Sequence, residues 1–258
     1  MELLLSLIIF AFGAIIGSFL NVVILRYNTG RSVQGRSGCF SCGKKLRWSE
    51  LVPIFSFLAQ KGKCRTCQSH ISWQYPLVEV ITGLLFLAVF WREGFAPQII
   101  FFLTIISLFV VLMVYDIRHK IIPNGFVYAI SLLALARLFW LAPGYLPSIW
   151  ELLAGPILFL PFFLLWWLSR GRWMGLGDGK LALAMGWLLG LSGGIAAVLL
   201  AFWAGLIASI ALLVASRKLT MKSEIPFAPF LILSTIAVYL LKIGVEDILY
   251  FFARVFHL

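Results

Sequence analysis

The chain has 258 residues, of which 62% are hydrophobic and 12% are charged, and its mean hydropathy is +1.02. These values exclude an ordinary water-soluble domain and place the chain in lipid. The net charge of +11 does not indicate nucleic-acid binding, because the basic residues lie in loops beside apolar segments, where anionic lipids attract them. We therefore expect anionic membrane lipids as partners and no nucleic acid.

Apolar runs that can cross a hydrocarbon layer of about 30 Å recur along nearly the whole sequence. They predict an all-α polytopic membrane protein with about eight transmembrane helices. The predicted segments lie near residues 3–25, 76–91, 97–115, 123–142, 147–168, 178–192, 194–215 and 226–243. The first segment lacks a basic start and an A-x-A-like cleavage site, so we expect it to remain as a helix.

The loops that follow segments one, three, five and seven hold most of the 21 lysines and arginines. The basic residues elsewhere are Arg92, Arg137, Lys242 and Arg254. Because cytoplasmic loops carry an excess of Lys and Arg, this distribution predicts that both termini lie outside. The weak sixth segment is expected to cross as well, since otherwise the cluster of Arg217, Lys218 and Lys222 would lie on the wrong face.

The one extended polar stretch, residues 26–75, carries all four cysteines as two C-x2-C pairs: Cys39 with Cys42, and Cys64 with Cys67. Four thiolates can surround Zn²⁺ tetrahedrally and so fold a short loop that has little apolar core. Two disulfides or a redox pair are the alternatives, but the predicted cytoplasmic location disfavours disulfides. The pattern predicts a structural zinc site, with His70 as a surface residue outside it.

Aspartates are scarce, and two of them lie at ends of apolar segments. Asp116 directly follows the third segment, and Asp178 lies at the start of the sixth. Under the charge-derived topology both lie on the cytoplasmic side, so they can meet. Two facing carboxylates that share a proton can activate a water molecule and protonate a leaving group. The alternative is that Asp178 caps a helix and Asp116 pairs with Lys120 or Arg118.

Three glycines surround Asp178, at positions 175, 177 and 179, and Lys180 follows. Glycines remove side chains and tolerate positive φ, so an extended peptide backbone can approach closely there. We therefore expect Gly175, Gly177, Gly179 and Lys180 to support a substrate site around Asp178.

Taken together, these features resemble the type IV prepilin peptidase family, membrane aspartyl proteases of pilus, type II secretion and competence systems. The resemblance rests on ordered motifs across nearly the whole chain. They are GSFLNVVI at 17–24 with Arg26, the cysteine module followed by ISWQYPLVE at 71–79, Asp116 with Pro123 and Asn124, GLGDGK at 175–180 and IPFAPF at 225–230. The GxGD element alone is also shared with presenilin-like proteases.

The resemblance implies that Asp116 and Asp178 are the catalytic aspartates and that the four cysteines bind zinc. It also implies cleavage of prepilins or pseudopilins after a glycine at the end of a short basic leader. N-methylation of the new N-terminus with S-adenosylmethionine would follow. Location in the bacterial inner membrane, with the active site at the cytoplasmic face, is implied as well. Glu79, at the inner start of segment two, is the acidic residue to test for methyl transfer, and a helix-terminal carboxylate is its alternative role.

The chain then divides into a first helix (1–25), a cytoplasmic zinc-binding module (26–75) and a transmembrane aspartyl protease core (76–258). Two departures from the family pattern, Ala228 and the pair Tyr27-Asn28, are expected to lie clear of the aspartates and to bear on substrate preference.

Three other functions compete with this hypothesis. They are an intramembrane aspartyl protease of other substrates, a proton-coupled transporter with relay carboxylates, and a non-enzymatic assembly factor that docks through its zinc module. A transporter would predict inverted repeats, and none is evident.

Overall fold

The computed structural model describes residues 2–140, 146–215 and 225–255, and these residues are helical wherever they form regular structure. The helices are α1 (Glu2–Arg26), α2 (Phe55–Ala59), α3 (Gln74–Glu93), α4 (Ile99–His119), α5 (Asn124–Trp140), α6 (Ile149–Ser169), α7 (Leu176–Ala215), α8 (Ala228–Leu241) and α9 (Val245–Val255), with a short 3₁₀ helix at Trp48–Glu50. The predicted all-α class is confirmed for this part of the chain. The basic cluster at 217–222 lies outside the described residues.

Five of the described helices, α1, α3, α4, α6 and α7, are long and apolar enough to cross a membrane, and α8 with α9 makes a sixth if that bent pair is one span. The structure therefore supports a multi-pass protein with five or six candidate spans. The number of candidate spans is lower than the eight predicted crossings because of three helices, α5, α7 and α8. Helix α5 has 17 residues, α8 has 14, and α7 corresponds to two predicted segments.

The chain forms two compact units, residues 1–111 and 112–258, and the boundary falls within α4. In the first unit α1 and α3 pack antiparallel in a regular register. A Cβ added to Gly13 would lie 2.8 Å from the Gly83 Cα, and one added to Gly17 would lie 2.9 Å from the Glu79 Cα. One turn further along α1, the Asn21 amide donates to the Tyr75 carbonyl at 3.2 Å. Small residues four positions apart thus let the two backbones approach closely.

In the second unit α6 runs from Ile149 to Ser169 without interruption although it contains Pro156 and Pro161. Proline has no N–H, so Pro156 leaves the Leu152 carbonyl without its intrahelical donor. The Trp187 indole N–H of α7 donates to that carbonyl at 2.9 Å. A Cβ on Gly155 would lie 2.8 Å from the same indole, so close packing of α6 and α7 depends on that glycine.

Helix α7 is broken at Gly190, whose φ of 74° and ψ of −179° are not helical. The break falls close to the predicted boundary between segments six and seven. Arg137 of α5 donates to the Leu188 carbonyl at 3.1 Å, which places a cation at the end of the first half of α7. Beyond the break, the Ser192 hydroxyl donates to Glu246 at 2.7 Å, near the start of α9. Helix α9 is bent by 90° from α8, so it does not extend α8 in a straight line.

Candidate functional site

Asp116 lies in the last turn of α4, and its side chain is buried, with 4% of its surface exposed. The helix ends at His119, and the next residue, Lys120, has φ of 54° and donates its N–H to the Asp116 carbonyl at 2.7 Å. The carboxylate accepts a hydrogen bond from the backbone N–H of Ala228, the first residue of α8. A helix N-terminus favours a negative charge, so α8 provides a stabilising site for the Asp116 carboxylate.

The prediction that Ala228, a departure from the family pattern, lies clear of the aspartates is therefore wrong, because its backbone contacts Asp116. Its contact with Asp116 is made by the backbone N–H, which alanine and glycine both possess. The residue is fully buried, so a larger side chain there would need space that the structure does not leave.

Asp178 lies in the first turn of α7 and is also buried, with 8% of its surface exposed. Its flanking glycines have different neighbours. A Cβ on Gly177 would lie 3.0 Å from the Cβ of Ile122, and one on Gly179 would lie 3.0 Å from the Cβ of Phe162. Gly175 is open by comparison, since its nearest neighbours are 4.0 Å away. Gly177 and Gly179 thus let α7 pack tightly around Asp178, while Gly175 is exposed.

The two aspartates belong to the same compact unit, and their charges interact. Each has one buried carboxylate oxygen, Oδ2 of Asp116 and Oδ1 of Asp178, that makes no hydrogen bond within the described part of the chain. Buried polar atoms are normally hydrogen-bonded, so an exception indicates strain, catalysis or a missing ligand. Two such acids side by side can hold a water molecule and share one proton.

A hydrogen bond links the chain segments that carry the two acids. The Lys180 ammonium, two residues after Asp178, donates to the Asn124 amide oxygen at 2.9 Å. Asn124 begins α5, just after the turn that follows Asp116. The same ammonium lies 5.3 Å from the centre of the Tyr128 ring, a cation–π contact. The sequence predicted a role for Lys180 but not for its partners, although Asn124 belongs to the family motif that also contains Asp116 and Pro123.

The four cysteines form a compact cluster in the first unit. Their sulfurs all lie within 4.8 Å of one another, and those of Cys39 and Cys67 are 3.7 Å apart. A tetrahedral site with Zn–S bonds of about 2.3 Å requires sulfurs about 3.8 Å apart. His70 does not belong to this cluster.

The two C-x2-C pairs have the same local backbone structure. In the first, the Gly43 N–H donates to the Cys39 carbonyl at 2.9 Å. In the second, the Gln68 N–H donates to the Cys64 carbonyl at 3.0 Å. Gly43 and Gln68 both have positive φ, 70° and 58°. A short antiparallel bridge closes each turn. The repeated geometry presents two pairs of thiols to one point.

The thiols differ in acidity. The Cys42 backbone N–H, with help from the Ser69 hydroxyl, lowers the pKa of Cys39 to about 6. Ser69 also lowers the pKa of Cys67. The Lys44 N–H favours the Cys42 thiolate, but partial desolvation and the sulfurs of Cys67 and Cys39 outweigh it and raise the pKa of Cys42 to about 11. Four thiolates so close together need a cation, so this donor set fits a soft divalent metal.

Glu79, the acid singled out for a test of methyl transfer, is buried and hydrogen-bonded. Its carboxylate accepts the Ile54 backbone N–H at 2.7 Å and a hydrogen bond from the Ser18 hydroxyl. The structure thus places Glu79 among residues of α1, α3 and the cysteine module.

The described chain is thus a polytopic helical membrane protein with a pair of buried, interacting aspartates and a four-cysteine cluster. Residues 11–93 match the bacterial peptidase A24 N-terminal domain, and residues 102–210 match the type IV leader peptidase family. The chain belongs to the type IV leader peptidase family, which confirms the resemblance drawn from its motifs.

Similar proteins from several bacteria support this assignment. The chain is 33% identical over 226 residues to the prepilin leader peptidase/N-methyltransferase of Myxococcus xanthus, covering 86% of this chain and 67% of that protein. It is 34% identical over 235 residues to the protein of the same name from Bacillus subtilis, covering 90% and 93%. A type 4 prepilin-like proteins leader peptide-processing enzyme of Escherichia coli is 32% identical over 257 residues, covering 89% and 91%. No solved structure matches the chain.

Proposed function

We propose that the chain is a membrane aspartyl endopeptidase that cleaves the leader peptides of type IV prepilins or pseudopilins, with Asp116 and Asp178 as its catalytic residues. Membership of the type IV leader peptidase family and the names of its relatives support the reaction and the substrate class. The observation that carries the residue assignment is the buried, interacting pair of carboxylates, each with an oxygen free of hydrogen bonds within the described residues.

The pair performs the chemistry by sharing one proton. The ionised carboxylate removes a proton from a water molecule as that water attacks the scissile carbonyl. The protonated carboxylate stabilises the developing oxyanion and then passes its proton to the leaving amine. The Ala228 N–H holds the Asp116 carboxylate in place during these steps. Gly175 is exposed and has no side chain, which would let an extended peptide backbone come close to Asp178.

The same proposal includes a topology. Eight crossings with both termini outside would put the acid-bearing ends of α4 and α7 at the cytoplasmic face of the inner membrane. The distribution of Lys and Arg supports this arrangement. A prepilin with a basic leader in the cytoplasm and an apolar helix in the bilayer would bring its scissile bond to that depth. Anionic lipids would contact the basic loops.

Zinc and S-adenosylmethionine complete the proposal. Cys39, Cys42, Cys64 and Cys67 would hold Zn²⁺ as a structural ion, since four thiolates leave no open coordination position. The relatives' names include N-methyltransferase, so the chain would also methylate the new N-terminus. S-adenosylmethionine would supply the methyl group, and no residue is assigned to its binding.

The test uses the full-length protein in lipid nanodiscs with a purified prepilin. Asp116→Asn and Asp178→Asn should each slow the appearance of the shortened pilin and the free leader, followed on a gel and by mass spectrometry, by about 10²-fold to 10⁴-fold. Asp247→Asn, which removes an exposed aspartate near the start of α9, serves as the control and should cleave normally. Cleavage of other membrane helices but not of the prepilin would support the intramembrane protease alternative. Cleavage by either asparagine variant at the rate of the unaltered protein would refute the assignment of the pair.

A further inference from the structure

The cysteine module carries an apolar segment that the proposed reaction does not use. We define it as residues 48–58, which comprise the 3₁₀ helix Trp48–Glu50, a turn and most of α2. Its exposed large apolar side chains are Trp48, Leu51, Val52, Phe55 and Leu58. Single exposed apolar residues are ordinary on a protein surface, but five within eleven positions indicate an interaction surface.

Two contacts within the first unit place this segment beside the start of α3. The Ile54 N–H donates to the carboxylate of Glu79, which lies five residues into α3, or about 7.5 Å along the helix axis. The ring of Phe57 lies 4.9 Å from that of Trp73, the residue just before α3. The segment therefore stands level with the first turns of a helix that is long and apolar enough to cross the membrane.

The backbone at Ile54 is strained in a way that serves this placement. Ile54 has φ of 64° and ψ of −56°, and the Phe55 N–H donates to the Pro53 carbonyl at 2.6 Å, which defines a γ-turn. Positive φ is rare for a β-branched residue, and this form of γ-turn is itself uncommon. The turn directs the Ile54 N–H to Glu79. An exposed N–H is costly at membrane depth, so a carboxylate acceptor there allows an irregular segment to approach lipid.

We propose that residues 48–58 form a membrane-inserted element of the cysteine module, whose apolar side chains enter the boundary between lipid headgroups and acyl chains. This boundary is the lipid zone that tryptophan prefers, and Trp48 and Trp73 are both exposed there. Arg47 before the segment and Lys61 after it are exposed cations that suit anionic headgroups. The occupant is thus the lipid surface on the side of the membrane where α1 ends and α3 begins. The inference does not depend on the protease assignment.

The test measures depth directly in the full-length, metal-loaded protein in nanodiscs that contain phosphatidylethanolamine and phosphatidylglycerol. A ketone-bearing phenylalanine analogue at position 55 takes a nitroxide label without involving the cysteines. Phe40 in the same module is the matched control, since Phe55 is 72% exposed and Phe40 is 65% exposed. Collision with oxygen, which concentrates in lipid, is compared with collision with a water-soluble nickel chelate. A second label at Leu58 guards against a local defect.

The labels at 55 and 58 should collide severalfold more with oxygen than with the nickel chelate, and the label at Phe40 should show the reverse. Nickel accessibility at 55 and 58 equal to that at 40 would overturn the proposal. Labels at 55 and 58 that are shielded from both reagents would also overturn it, because they would indicate a protein contact.

Variants of Glu79 test separately whether its carboxylate allows the segment to lie in lipid. In Glu79→Ala the Ile54 N–H loses its acceptor, so the label at 55 should gain nickel accessibility severalfold. Glu79→Gln keeps an acceptor oxygen and should leave the label in lipid. An unchanged label in the alanine variant, measured on protein that still binds its metal, would contradict the role given to Glu79.

Discussion

Buried acids occur in both compact units of the molecule, and Glu79 of the first unit differs from the aspartate pair of the second in its hydrogen bonding. In the first unit Glu79 accepts hydrogen bonds from the Ile54 N–H and the Ser18 hydroxyl. In the second unit the charges of Asp116 and Asp178 interact, and each carboxylate has one oxygen without a hydrogen bond among the described residues. A satisfied buried acid stabilises the fold, whereas an unsatisfied pair is available for chemistry. Burial alone therefore does not identify a catalytic carboxylate.

The largest effect is expected when either aspartate is replaced. Each single asparagine variant should slow prepilin cleavage by about 10²-fold to 10⁴-fold, the usual contribution of general acid–base catalysis. Since the two acids act as one unit, the double variant should be no slower than the slower single variant. Single-turnover cleavage measures all three rates. If the fold losses in rate of the two single variants multiply in the double variant, the acids act separately. The pair would then not differ from Glu79 by acting as a unit.

The next effect concerns the metal site. Cys64→Ser should reduce bound zinc from about one equivalent to almost none, because loss of a thiolate opens the tetrahedral shell. Elemental analysis of the purified protein measures it. His70→Ala is the control and should keep full zinc, since this exposed side chain lies outside the cluster. Zinc retained in the serine variant would remove the support for a four-thiolate site.

Glu79 should affect stability rather than chemistry. Glu79→Ala leaves the Ile54 N–H without its acceptor and should lower the free energy of unfolding by about 1–3 kcal/mol. Glu79→Gln should cost less because it keeps an acceptor. Thermal unfolding in detergent gives the stabilities, and the prepilin assay is run below the unfolding range. A strong loss of cleavage in folded Glu79→Ala would erase the distinction between the two kinds of buried acid.

The smallest effect is expected for the link between Lys180 and Asn124. Lys180→Met and Asn124→Ala should each lower kcat moderately, because the hydrogen bond joins the segments that carry the two aspartates. In a double-mutant cycle the coupling energy should be about 0.5–1.5 kcal/mol. Tyr128→Leu tests the weaker ring contact and should couple less to Lys180. Additive losses for Lys180 and Asn124 would mean that the link does not position the acids.

Local signals in the sequence predicted much of this arrangement. Apolar runs predicted α1, α3, α4 and α6 because a helix in lipid must be long and apolar. The paired C-x2-C spacing predicted the cysteine cluster because each turn presents two thiols to one point. The scarcity of acids singled out Asp116 and Asp178. The eight crossings, the membrane orientation and the catalytic roles remain predictions.

Tertiary structure alone decided the contacts between residues that are far apart in sequence. No local pattern indicates that the Ala228 N–H binds Asp116, that Asn124 binds Lys180 or that a γ-turn at Ile54 directs its N–H to Glu79. The reason is physical. Apolar length and cysteine spacing act within one segment, so composition and order encode them. The hydrogen-bond partner of a buried polar group depends on which backbone the packing of other helices brings within 3 Å, and that is settled only when the chain has folded.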